Sequence, residues 1–294
     1  MNKIVILIAA VIVVCFYACD KIEGPTRENI AVDTTCEFLE DNSVPVKKVL
    51  VEDYTGHNCG NCPDAGLLLN DTLRNKYGEN LIVISVHAGD YANVCPLLTC
   101  PPNAPAGSFM TDYKTEAGED WLTTFSIIYN PSGMVDRIDY PNNNLKLSDT
   151  WDQEIQQRMN LPAKVRIRIQ NTYDETERKV RACVETKFME AMNGNYKLSV
   201  VLTEDSIIDW QYWYAPHVPE LVPDFVHHHV LRGTLNTSYG VNVGSGSIAA
   251  DTKVVSGYSM DINTEWNADR CAVVAFLYDE TTYEVLQVEE VKIK

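Results

Sequence analysis

The segment Lys48-Val49-Leu50-Val51-Glu52-Asp53-Tyr54-Thr55-Gly56-His57-Asn58-Cys59-Gly60-Asn61-Cys62-Pro63 constrains this chain more than any other stretch. An apolar run with strand character empties into two cysteines separated by two residues, and a helical pattern starts at once. A strand that stops at such a pair and turns into a helix places the first thiol at a helix N-terminus. Unpaired N–H groups and aligned peptide dipoles there favour an anion, so Cys59 is expected to be the more acidic thiol. Each unit by which its pKa falls favours thiolate by about 1.4 kcal/mol. Cys62, one turn on, is then placed to resolve a mixed disulfide formed at Cys59. Two other uses of the pair stand beside this one: half of a zinc site, or a purely structural disulfide. Zinc needs a second ligand pair, and a strand-to-helix setting is unlike a zinc knuckle.

The N-terminus carries an export pattern. Lys3 supplies positive charge, and positions 4–17 are an unbroken apolar stretch, shorter than the roughly 20 residues that span a bilayer. Ala18-Cys19 closes it with a small residue before a cysteine. This resembles the lipobox of bacterial lipoproteins and implies acylation of Cys19; an ordinary signal peptide cut nearby is the alternative. Stable anchoring would need more than one acyl chain. A formal charge of −17 argues against nucleic acid and against docking on anionic headgroups. It suits a solvated envelope protein tethered by lipid.

Nine cysteines in an exported chain imply an oxidising compartment. With Cys15 in the signal and Cys19 lipidated, Cys36, Cys59, Cys62, Cys95, Cys100, Cys183 and Cys271 remain. The odd count leaves at least one thiol free or paired outside the chain. Cys95 and Cys100 are close enough to bridge and would pin the irregular Pro- and Ala-rich stretch 88–107; two unpaired thiols are the alternative. Cys36 has no obvious local partner.

The length suggests two domains. Residues 1–18 are read as the signal, 19–45 as a polar tether, 46–161 as an α/β domain and 162–294 as an all-β domain. In the first domain, positions 48–54 and 81–86 read as strands with a helix over 64–76 between them. That βαβ unit predicts a parallel pair. A short helix is expected over 118–125, a turn at 129–133, a strand over 134–138 and a helix over 148–159. Beyond Pro162 the hydrophobic period changes to two: Val165, Ile167 and Ile169 alternate with charged residues, as do Val180, Ala182 and Val184. Further strands are expected over 196–203, 225–232, 253–262, 271–278 and 284–292. About seven strands without a helical pattern predict an antiparallel β-sandwich.

Three features of the first domain resemble the thioredoxin superfamily. One is the cysteine pair at a strand-to-helix junction. Another is Asp53, six residues before Cys59; the superfamily carries a buried acid there that helps remove the proton of the resolving thiol. The alternative makes Asp53 a solvated strand-end acid, with Glu52 inside. The third is Asn130-Pro131, since a cis-proline faces the cysteine pair in that superfamily. The resemblance therefore implies Cys59, Cys62, Asp53 and Pro131 as site residues. Departures are Asn58 in place of the usual Trp, Gly60-Asn61 between the cysteines, and a longer gap from Cys62 to Pro131. His57 would stabilise a thiolate if protonated; a solvated loop histidine is the other reading.

In the second domain, His227 and His229 of Phe225-Val226-His227-His228-His229-Val230 would share one face of a strand, as two metal ligands might be arranged. No matching Asp, Glu or Cys completes such a site, so neither metal nor other cofactor is expected, and a structural or surface cluster near the domain interface is preferred.

Across nearly the whole mature length the chain resembles the twenty-eight-kilodalton outer-membrane protein family of Gram-negative, Bacteroidetes-type bacteria. The segments that carry the resemblance are Val51 through Pro63, Asn130-Pro131-Ser132-Gly133-Met134-Val135-Asp136-Arg137, and His228-His229-Val230-Leu231-Arg232-Gly233. The resemblance implies an outer-membrane lipoprotein with a thioredoxin-like domain followed by an immunoglobulin-like antiparallel β-sandwich. Two functions follow as expectations. The first is thiol–disulfide exchange on envelope protein thiols. The second is a non-enzymatic surface adhesin or receptor that binds a surface ligand and carries a structural disulfide.

Overall fold

Strands β1 (Val49–Thr55) and β2 (Leu81–His87) are buried along their whole length and pair in parallel, with Val51 opposite Val83 and Thr55 opposite His87. The computed structural model describes residues 36–96 and 100–294. The signal segment and Cys19 lie outside the described residues. Between β1 and β2 one helical run crosses over: α1 (Cys62–Leu67), a π-helical stretch (Leu68–Leu73) and α2 (Arg74–Tyr77). Gly78 ends it at φ 58°, a conformation that costs glycine little. Helix α3 (Glu116–Thr124) follows, N-capped by the Thr115 hydroxyl, which accepts from Gly118 N–H at 3.0 Å. Then come β3 (Ser132–Val135), antiparallel to β1, and α4 (Trp151–Met159).

Alternation along β1 divides its side chains between two cores. Val49 and Val51 pack with Ala65, Leu69 and Leu73 of the helical run and with Trp151 and Ile155 of α4. Leu50 and Tyr54 face the other way, onto Ala117, Trp121 and Phe125 around α3. Fully burying side chains of this size contributes about 1.5–3 kcal/mol each. Glu52 shares the second face, yet it is fully buried. Arg137 holds it through two parallel bonds of 2.7 and 2.6 Å, and the guanidinium lies over the rings of Trp121, Phe125, Phe276 and Tyr278.

The chain beyond Pro162 contributes β4 (Val165–Asp174), β5 (Lys179–Phe188), β6 (Met192–Glu204), β7 (Ile207–Tyr212), β8 (Leu221–His227), β9 (Val230–Thr234), β10 (Val241–Ile248), β11 (Lys253–Asp261), β12 (Cys271–Asp279) and β13 (Val285–Lys292). These are ten strands, three more than the alternating runs suggested. The run expected as one strand over 225–232 is two. His229 at φ 50° breaks it, and Asp205 accepts from His228 Nδ1 at 2.8 Å and from the His229 backbone N–H at 3.3 Å.

The large sheet has the order β13-β12-β6-β9-β2-β1-β3, with β10 beside β6. It therefore runs across the Leu161-Pro162 junction without interruption. The crossing is narrow: Ser85 of β2 bridges Val230 of β9, and Ser85 N–H donates to the His229 carbonyl at 2.9 Å. On one face, Leu198, Val200, Val273 and Ala275 of β6 and β12 pack against Val165, Ile167, Val180 and Val184 of the three-stranded sheet β11-β5-β4. On the other face, Val201, Val274 and Phe276 join the α3 core. The result is a mixed α/β architecture in which two antiparallel layers extend a partly parallel sheet. A Cys36–Cys183 disulfide ties the segment before β1 to β5, and Cys271 is a free, buried thiol. No helix among the described residues is long and apolar enough to cross a membrane.

Candidate functional site

Cys59 and Cys62 form a disulfide in the turn between β1 and α1. The helix begins at Cys62, with Asn61 as its N-cap, so Cys59 sits in the turn ahead of the helix rather than on its first residue. Cys62 N–H donates to the Cys59 carbonyl at 3.2 Å. Both cysteines are 3% exposed. The burial has a physical reason: the hairpin β7–β8 lies over the turn.

That contact is specific. Tyr212 N–H donates to the His57 carbonyl and Tyr214 N–H to the Gly60 carbonyl, each at 2.8 Å. The Gln211 amide donates to the Cys59 carbonyl at 3.0 Å. The Tyr214 ring fills the space beside Gly60, where an added Cβ would meet Tyr214 Cδ1 at 2.3 Å. Trp213 Nε1 donates to Asp64 at the start of α1 at 3.2 Å.

On its far side the turn rests on the segment after β2. Asn58 N–H donates to the Tyr91 carbonyl at 3.0 Å, and the Asn58 side-chain amide donates to the Asn93 carbonyl at 2.6 Å. His57 is fully buried, with Nε2 2.9 Å from the Asn93 carbonyl. An N–H on Nε2 satisfies that carbonyl, and burial pulls the His57 pKa down. His57 is thus neither a solvated loop histidine nor a cation beside a thiolate.

Beside Cys62 lies a cavity of about 30 Å³, room for one or two waters. Asp53, Cys62, His87, Gln211 and His227 are among its walls. Asp53 is 3% exposed, its Oδ1 has no hydrogen-bond partner, and desolvation raises its pKa to about 7. Both acids of β1 are therefore inside, on opposite faces: Asp53 on the cavity beside Cys62, Glu52 on Arg137. His87 and His227 are buried with ring centroids 5.6 Å apart, and Tyr113 packs on both. Burial, followed by neighbouring charge, holds His87 well below the usual histidine value, and burial pulls His227 down to about 4 against the opposing charge of Asp209. These two imidazoles are neutral at pH 7, so neither offsets the charge of an ionised Asp53.

The Asn130–Pro131 bond is cis. Pro131 directly precedes Ser132, the register partner of Tyr54, which places it at the end of β1 from which the cysteine turn departs. It does not line the Asp53 cavity. Cys95 and Cys100 are joined in the insertion after β2, and Cys95 N–H donates to the Phe109 carbonyl at 3.0 Å.

His227 and His229 do not share a face. His227 ends β8 in the aromatic cluster, whereas His229 turns away to Arg74 and Asp205. Among the described residues no group of three or more His, Cys, Asp or Glu is arranged to hold a metal ion. Sequence reasoning missed the covering residues Gln211, Tyr212 and Tyr214, and also His87. The available signals were the alternation of Ile208, Trp210 and Tyr212 with Asp209 and Gln211, which is short, and a histidine closing an otherwise apolar strand.

No curated protein matches the chain. A solved domain of the outer membrane lipoprotein Omp28 from Porphyromonas gingivalis is similar at 24% identity and a TM-score of 0.30, covering 45% of this chain and 89% of that one. The model of the Omp28 outer membrane protein family matches residues 121–294. That match spans β3, α4 and every strand of the second half, including the hairpin over the cysteine turn, and takes in more than half of the chain, which therefore belongs to the Omp28 outer membrane protein family.

Proposed function

We propose that this chain is a lipid-anchored thiol–disulfide oxidoreductase of the cell envelope, with Cys59 and Cys62 as its reacting pair. The observation that carries the reading is that Cys62 and a buried carboxyl, Asp53, line one small cavity, and that the carboxyl's pKa of about 7 suits proton exchange with a thiol. The β2-β1-β3 order with β1 and β2 parallel and β3 antiparallel, crossed over by a helix that starts at Cys62, supports a thioredoxin-like first half. The two-layer packing of the second half supports a sandwich of the immunoglobulin type. Anchoring at Cys19 follows from the lipobox-like Ala18-Cys19 alone.

The chemistry balances within the pair and its partner. In the oxidised form seen here, a substrate thiolate attacks Cys59 Sγ, the Cys59–Cys62 bond breaks, and Cys62 leaves as thiolate. Protonated Asp53 can give that thiolate a proton. A second substrate thiolate then attacks the mixed disulfide and releases Cys59. Two electrons pass from the substrate dithiol to the protein pair, and the substrate gains a disulfide. The reverse sequence reduces a substrate disulfide, with Asp53 taking the Cys62 proton. A second envelope dithiol or disulfide protein resets the pair.

The decisive experiment is trapping. Cys62→Ser leaves nothing to resolve a mixed disulfide, so it should accumulate protein adducts at Cys59 that a reductant releases. Cys59→Ser should accumulate none.

A second reading has its own observation: both cysteines are only 3% exposed, as in a structural disulfide. Under that reading the chain is a surface adhesin or receptor and the Cys62→Ser protein collects no adducts.

A further inference from the structure

We propose that the β7–β8 hairpin is a displaceable cover, an intramolecular competitor for the extended polypeptide that approaches Cys59. The proposal takes its purpose from the thiol–disulfide reading, but its test does not depend on that reading.

The hairpin meets the cysteine turn as an added strand would. Its backbone N–H groups two residues apart, at Tyr212 and Tyr214, donate to the His57 and Gly60 carbonyls on either side of Cys59. Alternate donors of this kind are how an extended peptide engages an open backbone edge. A large aromatic ring, Tyr214, packs on a residue that has no side chain, Gly60. An incoming chain with an extended backbone and an aromatic side chain in the same register would make the same contacts.

The cover is built to be separable. β7 and β8 pair only with each other and form a two-stranded sheet apart from both larger sheets. An isolated hairpin of that size is marginal in water. Its outer surface is left to solvent: Ile208 is 64% and Val218 85% exposed. Its links to the turn are two backbone bonds, the Gln211 amide and the Trp213–Asp64 bond. Its base is anchored separately, where Tyr113 donates to Asp209 at 2.8 Å, Trp210 meets Phe109 and His227 is buried beside His87 and Tyr113. Removing the outer links while keeping that base should let the hairpin swing without loosening the core.

The test compares wild type with a Gln211→Ala/Tyr214→Ala variant. Each is reduced with dithiothreitol and pulse-labelled with iodoacetamide, and the Cys59 peptide is quantified by mass spectrometry. Cys271, buried and free, serves as an internal reporter of global unfolding. The expected result is a rise in Cys59 labelling of about tenfold or more, the change that 1.4 kcal/mol of lost cover stability gives, with Cys271 still unlabelled. Unchanged Cys59 labelling overturns the proposal. If Cys271 labels as fast as Cys59, the variant has unfolded, and hydrogen exchange on the wild type decides. Tyr212 and Tyr214 amides that exchange well before those of Val51 and Val83 support a cover; exchange only together with them overturns it. Faster Cys59 labelling without any exchange with a disulfide-bonded peptide leaves the cover standing and removes the thiol–disulfide reading.

Discussion

The ring of Tyr214 occupies the place where a side chain on Gly60 would stand, and its backbone N–H bonds the Gly60 carbonyl at 2.8 Å. One of the two residues between the cysteines is thus matched to a residue more than a hundred and fifty positions away. Gly60→Ala puts a Cβ within 2.5 Å of three Tyr214 ring atoms. The ring must move, at a cost of about 1–3 kcal/mol. Chemical denaturation should show that loss, and the Cys59–Cys62 disulfide should become reducible at lower dithiothreitol.

Arg137→Met should destabilise the fold by about 3–5 kcal/mol, because it strands the Glu52 carboxylate in a dry core. Glu52 and Arg137 are 0% and 2% exposed. The double variant Glu52→Leu/Arg137→Met removes both charges and should recover most of the loss. Urea midpoints of the three variants check this; equal losses in single and double variants would contradict it.

Asp53 gives stability a definite pH slope. Its folded pKa of about 7 lies above the ordinary value of 3.8. Between those values the folded state holds a proton that the unfolded state has lost. Its stabilising effect is therefore present at low pH and is lost as pH rises towards about 7. Asp53→Asn should remove that slope and raise stability by a few kcal/mol at pH 8. Thermal melts of both proteins from pH 4 to pH 8 measure it.

His227 acts in the opposite direction. Its folded pKa of about 4 lies below the ordinary 6.5. As pH falls through 6.5 the unfolded chain takes up a proton that the buried ring refuses, so stability is lost between about 6.5 and about 4. His227→Gln should flatten the curve in that window and leave it unchanged above pH 7.

The Cys36–Cys183 bond closes a loop with a sequence separation of 147. Replacing both cysteines by serine should lower stability by about 2–5 kcal/mol through the unfolded chain's regained freedom. Differential scanning calorimetry under oxidising conditions reads the difference directly.

Local signals carried much of this architecture. Apolar runs at 49–55 and 81–87 gave a parallel pair because both faces of each strand are buried, and alternation at Val165, Ile167 and Ile169 marked β4 because one face meets a second sheet. What stayed hidden is non-local. β7 alternates, but its polar Gln211 is the residue turned inward while Ile208 is exposed, because its inner surface meets a loop rather than a sheet. Cys36 finds Cys183 across half of the chain. The break at His228-His229 depends on Asp205, which nothing near those histidines announces. The candidate site was legible to the level of its cysteines, while which acid of the preceding strand turns inward stayed open between Asp53 and Glu52. That the pair is covered was not, because the covering residues belong to the other half of the sequence.

The reduction potential of the Cys59–Cys62 pair tests the central claim most directly. Equilibration of the intact protein against a graded dithiothreitol series, with acid quench, alkylation and mass spectrometry of the peptide that holds both cysteines, gives that potential. A pair that exchanges with envelope proteins should titrate above about −300 mV; a pair that stays oxidised below about −300 mV is a structural disulfide and contradicts the account.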